Sequence, residues 1–259
     1  MTITVGKGAN GGIQEIGINT DGNDTSASVS FTTIPVKKGM YFSPVFQYWN
    51  GEVIENGEYV YGHGLYYIPF KPVGNTEGTP PWVTFDFDGL EMVYSLKPSD
   101  RLIAMEESAD GTQLHLLTNE SGKYVYCLFD MESRELLSRT EIMETKAAAD
   151  WAFYPEDNLL YLLAGGKMGL VRMGEASRVE FVTQWPEEAS WIVPTTVHYA
   201  DGVLYGTSVE WYEKVGRGVC LIACDKDGLG YLGYYTDNLN GTGYNSAWLN
   251  LESVEFVME

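Results

Sequence analysis

The stretch Lys123-Tyr-Val-Tyr-Cys-Leu-Phe-Asp130 is an apolar and aromatic run that stops on a polar residue, and the same pattern recurs along the chain. Comparable runs span Val83 to Gly89, Gly169 to Gly174 and Val219 to Gly228. The pair Phe87-Asp88 returns as Phe129-Asp130 after 42 residues, as Met173-Gly174 after 44 more, and as Cys224-Asp225 after a further 51. Around Lys123–Asp130 the unit is plainest: Arg101–Glu107, Thr112–Thr118, Lys123–Asp130 and Glu135–Ile142 read as four strands. Ser108-Ala-Asp-Gly111 and Asn119-Glu-Ser-Gly122 link them with residue types that favour tight hairpin turns.

The order repeats as Asp150–Tyr154, Asn158–Ala164, Lys167–Gly174 and Arg178–Gln184, then as Val193–Tyr199, Val203–Val209, Gly218–Asp225 and Leu229–Thr236. An earlier unit has strands near 41–48, 59–70, 81–87 and 90–96. A period in the forties with four strands per unit predicts an all-β chain of the β-propeller type. The units run over 41–96, 101–142, 150–184 and 193–236 within a single domain, 1–259. Three strand-like pieces precede them (Ile3–Val5, Ile13–Ile18, Val29–Val36) and one follows (Ser246–Val257). A ring must close, because an open blade edge invites aggregation. The expectation is therefore five four-stranded blades, the last formed by residues 1–37 with 246–257. Alternatives are a longer propeller of which this chain is a part, or an N-terminal appendage on an open arrangement.

Residues 41 to 236 resemble the broad β-propeller superfamily of YVTN-like and quinoprotein-like repeats. The resemblance implies the fold and a capacity to bind partners. No unit carries the Gly-His and Trp-Asp pair of WD repeats, the Asp box of sialidases or the tryptophan-docking signature of quinoproteins, so no catalytic residue carries over.

Composition narrows the function classes. At 44% hydrophobic and 14% aromatic residues, 259 residues can bury a large core in one domain. The formal charge of −20 would repel a phosphate backbone or an anionic membrane surface, which sets nucleic acid aside. That acidity serves solubility, or it attracts a cation or a basic partner. No apolar run reaches the length of a membrane span, so membrane insertion is not expected. Met1-Thr-Ile-Thr-Val5, followed by Gly6-Lys-Gly8, lacks the basic start and apolar run of a signal peptide. An extracytoplasmic or cell-surface location is favoured if a signal or anchor has been removed. Three cysteines are too few for a disulfide scaffold. Cys220 and Cys224 on one strand stand roughly 13 Å apart, beyond bridging distance, and read as small apolar residues. Only Met143 to Trp151, with Lys146-Ala-Ala-Ala149, reads as a helical turn.

The candidate sites follow from loop lengths. In an up-and-down blade the first and third connections lie at one end and the second and fourth at the other. The long connections, Lys71–Pro81, Glu210–Arg217, Met143–Ala149, Trp185–Ile192 and Asp237–Asn245, gather mainly at one end. Long loops on a rigid scaffold are where binding residues concentrate. They carry Trp82 at a loop edge, Trp185, Trp191 and Trp211, with Trp248 just beyond. Aromatic rings beside carboxylates suit stacking on sugar rings while hydrogen-bonding their hydroxyls. Trp82, Trp185, Glu187, Glu188, Trp191, Trp211 and Tyr212 are therefore the expected ligand-binding residues. The competing reading makes the tryptophans wedges packed between blades.

Other constellations point more to structure than to chemistry. Asp86 and Asp88, like Asp225 and Asp227, could ligate Ca²⁺ or act as an acid/base pair, but each pair precedes a glycine in a hairpin signal. Asp21-Gly-Asn-Asp-Thr-Ser26 resembles part of a calcium loop yet has Thr32 where the bidentate Glu belongs. Calcium is thus the one cofactor left open, and no metal ligand set is assigned. Gly6-Lys-Gly-Ala-Asn-Gly11 matches a dinucleotide fingerprint by spacing alone, with no amphipathic helix after it. His63, His115 and His198 fall on separate strands, with no metal spacing and no nucleophile beside them. Sequons occur at Asn23, Asn119 and Asn240.

The functional expectation is a non-catalytic ligand- or partner-binding domain working through its long-loop face, with a carbohydrate or a protein as partner. One alternative is a carbohydrate-active enzyme with carboxylates such as Glu106 or Asp150 in a central funnel. The other is a structural domain of a larger protein.

Overall fold

The computed structural model describes residues 2–7, 13–19, 26–49, 58–61, 64–72, 83–97, 100–212 and 216–236. Among them every regular element is a strand except two short 3-10 turns, Phe87–Gly89 and Glu187–Ala189. The chain divides into two compact units, Met1–Leu137 and Ser138–Glu259.

In the first unit, β1 (Thr2–Lys7) and β2 (Ile13–Asn19) pair as an antiparallel ribbon. A six-stranded sheet follows: β3 (Ser26–Val36), β4 (Gly39–Trp49), β5 (Glu58–Tyr61), β6 (Gly64–Pro72), β7 (Val83–Phe85) and β8 (Glu91–Ser95). Next come β9 (Arg101–Glu107), β10 (Gln113–Glu120), β11 (Lys123–Asp130) and β12 (Leu136–Glu144), four antiparallel strands in chain order. The boundary between the units falls inside β12.

The second four-strand reading from the sequence matches β9 to β12 closely because β10 and β11 are buried on both faces. Leu114 lies opposite Phe129, Leu116 opposite Cys127 and Thr118 opposite Val125, and this face joins Tyr41, Leu65, Tyr67, Leu96, Leu102 and Met105 in one core. Leu117, Tyr126 and Leu128 on the reverse face are equally buried. Burial on both sides turns a strand into a continuous apolar run, which is why Tyr124–Phe129 shows no alternation. The turns behave as their residues dictate. Ser121 and Gly122 both have positive φ, 53° and 85°, the twist that suits a right-handed hairpin. The Asp110 carboxylate accepts from the Ser108 hydroxyl at 2.7 Å and from the Thr112 amide at 3.1 Å, closing its own turn.

The six-stranded sheet departs from expectation. The strand read at 59–70 is two strands: β5 pairs with the far half of β4 (Val45–Tyr48) and β6 with its near half (Gly39–Phe42). Gly64, at φ +139°, sits at the start of β6, and a Cβ there would run into the Tyr94 carbonyl, so the chain turns where only glycine fits. The strand read at 81–87 covers only Val83–Phe85 before the 3-10 turn. The N-terminal strand also pairs differently. Ser26 to Val36 runs the length of β4, from Ser26 opposite Trp49 to Val36 opposite Gly39, instead of joining the first two strands in a closing blade. Hairpin pairing across the two-residue link Lys37-Lys38 closes far less chain than a return from the C-terminus. The other half of that expected blade, 246–257, lies outside the described residues.

The second unit holds two four-stranded antiparallel sheets, each in chain order: β13 (Ala149–Tyr154), β14 (Leu159–Ala164), β15 (Lys167–Arg172) and β16 (Arg178–Gln184), then β17 (Thr196–Ala200), β18 (Val203–Tyr212), β19 (Gly216–Asp225) and β20 (Gly228–Thr236). All six residues of β14 are buried. Tyr154, Leu159, Tyr161, Leu163, Met168, Leu170 and Phe181 from the first of these sheets pack with Val197, Leu204, Cys220, Ile222 and Cys224 from the second in a shared core. Cys127, Cys220 and Cys224 are buried thiols outside any disulfide, as small apolar residues should be. On β12, Ser138 donates to the Gly174 carbonyl at 2.9 Å and the Thr140 and Ser177 hydroxyls lie 2.7 Å apart, a polar seam along that strand. The expected helical turn at Met143–Trp151 does not form. β12 runs to Glu144 and β13 begins at Ala149, leaving four residues, too few to offset helix nucleation between two committed strands.

Candidate functional site

The connection from β16 to β17 begins at Trp185. Its amide donates to the Gly166 carbonyl at 2.8 Å, which turns the indole inward beneath the loop. Trp185 is 4% exposed, meets Tyr161 edge-on at 6.3 Å between ring centres, and donates its Nε1 proton to the Ala189 carbonyl at 2.7 Å. Burial thus leaves its one polar atom satisfied, as a core tryptophan requires. Pro186 then enters the 3-10 turn Glu187–Ala189 with φ −69°, and Ala189 and Ile192 plug into the core with no exposed surface. The loop is fastened beyond the turn as well. Tyr161 donates to the Ile192 carbonyl at 3.1 Å, Tyr154 donates to the Pro194 carbonyl, and the Thr195 amide donates to the Thr207 carbonyl at 2.8 Å. Burial of these two tyrosines drives their hydroxyls above the ordinary phenol range, which favours the protonated donor form.

What this frame presents outward is Trp191. It is 42% exposed, and its Nε1 donates to the Glu188 carbonyl at 3.0 Å, which fixes the indole against the turn. Glu187 and Glu188 stand exposed on the same turn. A rigid exposed ring with carboxylates alongside can stack on an apolar ring face and accept hydrogen bonds from hydroxyls, with little ordering left to do on binding.

The structure divides the sequence-nominated residues. Glu187, Glu188 and Trp191 are each exposed on one loop, whereas Trp185 is a core wedge and is corrected to that role. Trp211 and Tyr212 lie on β18, opposite Arg217 and Gly216, because the hairpin continues through what reads as a long loop. Trp82 and Trp248 lie outside the described residues, as do His63 and most of the calcium-like segment 21–26. Sequence reading passed over Trp151 on β13, which is 37% exposed and packs its ring against Phe153 at 5.6 Å.

The other candidates resolve into structural parts. The Asp86 carboxylate binds Lys71 at 2.8 Å, and this contact holds it below the usual carboxylate range. Asp225 accepts from the Asp227 amide at 2.8 Å within its own turn. Among the described residues no group of three or more His, Cys, Asp or Glu side chains stands ready to hold a metal ion. His115 is buried on β10 with Nδ1 2.8 Å from the Tyr126 hydroxyl, and burial pulls its imidazole down to about 4. Burial therefore favours the neutral imidazole. Glu106 belongs to the first unit and Asp150 to the second. No helix among the described residues is long and apolar enough to cross a membrane.

No protein-family model matches the chain, and no curated protein matches it. Among solved structures, the chain is similar to a provisionally assigned 6-phosphogluconolactonase from Bacteroides uniformis, at 12% identity over 79% of this chain and 71% of that one, with a TM-score of 0.38. A second protein of that provisional assignment, from Bacteroides fragilis, is 13% identical over 79% and 70% of the two chains, with a TM-score of 0.32. A prolyl endopeptidase is 13% identical with a TM-score of 0.33, and the matched region is 33% of its length.

Proposed function

We propose that this chain is a non-catalytic binding domain that takes a carbohydrate on the loop from Trp185 to Pro194. Trp191 is the stacking platform, and Glu187 and Glu188 accept hydrogen bonds from sugar hydroxyls. The observation that carries this reading is the exposed Trp191 indole held by its own Nε1 bond on a loop anchored through buried Trp185. The succession of up-and-down antiparallel sheets is the chain pattern of a propeller, and the whole chain is read as one such domain. Propeller scaffolds host many unrelated functions, so the assignment rests on the loop and not on the fold.

Thermal unfolding against a panel of oligosaccharides, with Ca²⁺ and chelator as separate arms, tests it. A sugar at a hundred times its dissociation constant adds about 2.7 kcal/mol to the stability of the domain that binds it. The expected result is a sugar-specific shift that Trp191→Ala abolishes while leaving the protein folded. A shift that survives Trp191→Ala, or none with any sugar, overturns the assignment and directs attention to a protein partner.

A further inference from the structure

A cleft of about 520 Å³ opens among the turns of the first unit. Lys37 and Lys38 line it from the β3–β4 turn, Thr112 from the β9–β10 turn, and Asp130, Glu132 and Arg134 from the β11–β12 turn, with Tyr67 of β6 behind. Three positive side chains therefore meet in one cavity of a chain whose formal charge is −20.

Arg134 is built into the wall. Its backbone adopts φ +63° and its amide donates to the Asp130 carbonyl at 2.9 Å. Its guanidinium lies 5.0 Å over the buried Tyr67 ring, and its Nε stands 2.8 Å from a Glu91 carboxylate oxygen. That contact is an ion pair without hydrogen-bond alignment, and the buried Nε has no hydrogen-bond partner among the described residues, so the guanidinium keeps donors for a ligand. The turn itself is fastened: Tyr41 donates to the Met131 carbonyl at 2.7 Å, and the Met131 amide donates to the Thr112 carbonyl at 2.9 Å.

The negative groups of the cleft differ in how firmly they are committed. The Asp130 carboxylate accepts from the Glu132 and Ser133 amides at 3.0 and 2.6 Å, which holds it below the usual carboxylate range and ties it to its own turn. Glu132 reaches Lys38 at 3.5 Å with both side chains almost fully exposed, a pairing that water screens to little value. An incoming anion can displace it. Lys37 is exposed beside Lys38.

We propose that this cleft binds a small organic anion through its carboxylate or phosphate group. Arg134 acts as the fixed fork for two anionic oxygens, and Lys37 and Lys38 act as flexible counter-charges at the mouth. The site belongs to the first unit and is independent of the carbohydrate reading, which concerns the second.

Titration calorimetry of the full chain with citrate and, separately, with inorganic phosphate at constant ionic strength tests it. At least one probe is expected to bind with a dissociation constant of about 1 mM or tighter. The double substitution K37E/K38E weakens it at least tenfold without moving the unfolding midpoint, since both side chains are exposed. Arg134→Gln weakens it at least as much. Binding of citrate alone assigns a carboxylate ligand, and of phosphate alone a phosphorylated one. The proposal is overturned if neither probe binds up to about 10 mM, ten times that limit, or if K37E/K38E binds as the unaltered chain does.

Discussion

Trp185 and Trp191 stand six residues apart in one loop, yet their replacement by alanine should have opposite signatures. A tryptophan buries up to about 250 Å², and at about 25 cal/mol per Å² the 4%-exposed Trp185 is worth some 6 kcal/mol as an upper bound. Core truncations of this size cost about 3–5 kcal/mol once partial relaxation is allowed, and the lost bond to the Ala189 carbonyl adds about 1 kcal/mol. Trp185→Ala should therefore cost about 4–6 kcal/mol. Trp191, 42% exposed, is worth about 3.6 kcal/mol at most by the same measure, and its loss should cost about 2–3 kcal/mol and take sugar binding with it. Urea unfolding followed by far-ultraviolet circular dichroism reads both costs. The second unit's transition is the relevant one, because two compact units need not unfold together. Trp185→Phe, which keeps most of the burial and removes the donor, should fall between the two. Equal costs, or a larger cost at Trp191, would refute the assignment of one indole as anchor and the other as platform.

Three further outcomes are expected. His115 has a folded value of about 4 because burial disfavours its charged form, against an ordinary value near 6.5 when unfolded. Between those limits the unfolded chain takes the proton first, so stability falls with pH from about 6.5 to about 4, by about 3 kcal/mol in all, and His115→Leu should flatten that part of the profile in urea titrations. Gly64→Ala should cost more than about 2 kcal/mol, from the φ of +139° and the clash with Tyr94, whereas Gly202→Ala, with φ +82° and open space at the Cβ, should cost about 1 kcal/mol. The thiols of Cys127, Cys220 and Cys224 should stay silent to an aromatic disulfide reagent in the native protein and react fully in denaturant. Burial pushes the Cys224 thiol up to about 12, which keeps thiolate scarce even where reagent reaches it.

The last three four-stranded sheets were legible because their inner strands write burial directly into sequence. Tyr124–Phe129 and Leu159–Ala164 are unbroken apolar runs, and Asp110-Gly111 and Ser121-Gly122 mark where the chain must reverse. The first large sheet was not legible. Lys37-Lys38 carries no turn signature, so the β3–β4 hairpin is invisible until the strands pair. β4 serves two partners along its length, which no period can encode. At the loop, Trp185 and Trp191 share proline, glutamate and serine neighbours, and the ring that goes in is the one that meets Tyr161 and the Gly166 and Ala189 carbonyls, none of them visible as a local pattern. Trp211 misled for a related reason: the glycines and charges of Glu210–Gly218 read as a loop, while cross-strand pairing carries β18 to Tyr212 and starts β19 at Gly216. The anion cleft has no linear motif at all, since Lys37, Thr112 and Arg134 come from three turns.

The most direct test of the central claim is nuclear magnetic resonance of the indole N–H groups during an oligosaccharide titration, with Trp191 assigned from the Trp191→Phe spectrum. The account predicts that the Trp191 resonance moves saturably with a sugar that stabilises the protein, while the buried Trp185 resonance stays nearly fixed. A Trp191 resonance that does not move as such a sugar saturates would contradict it.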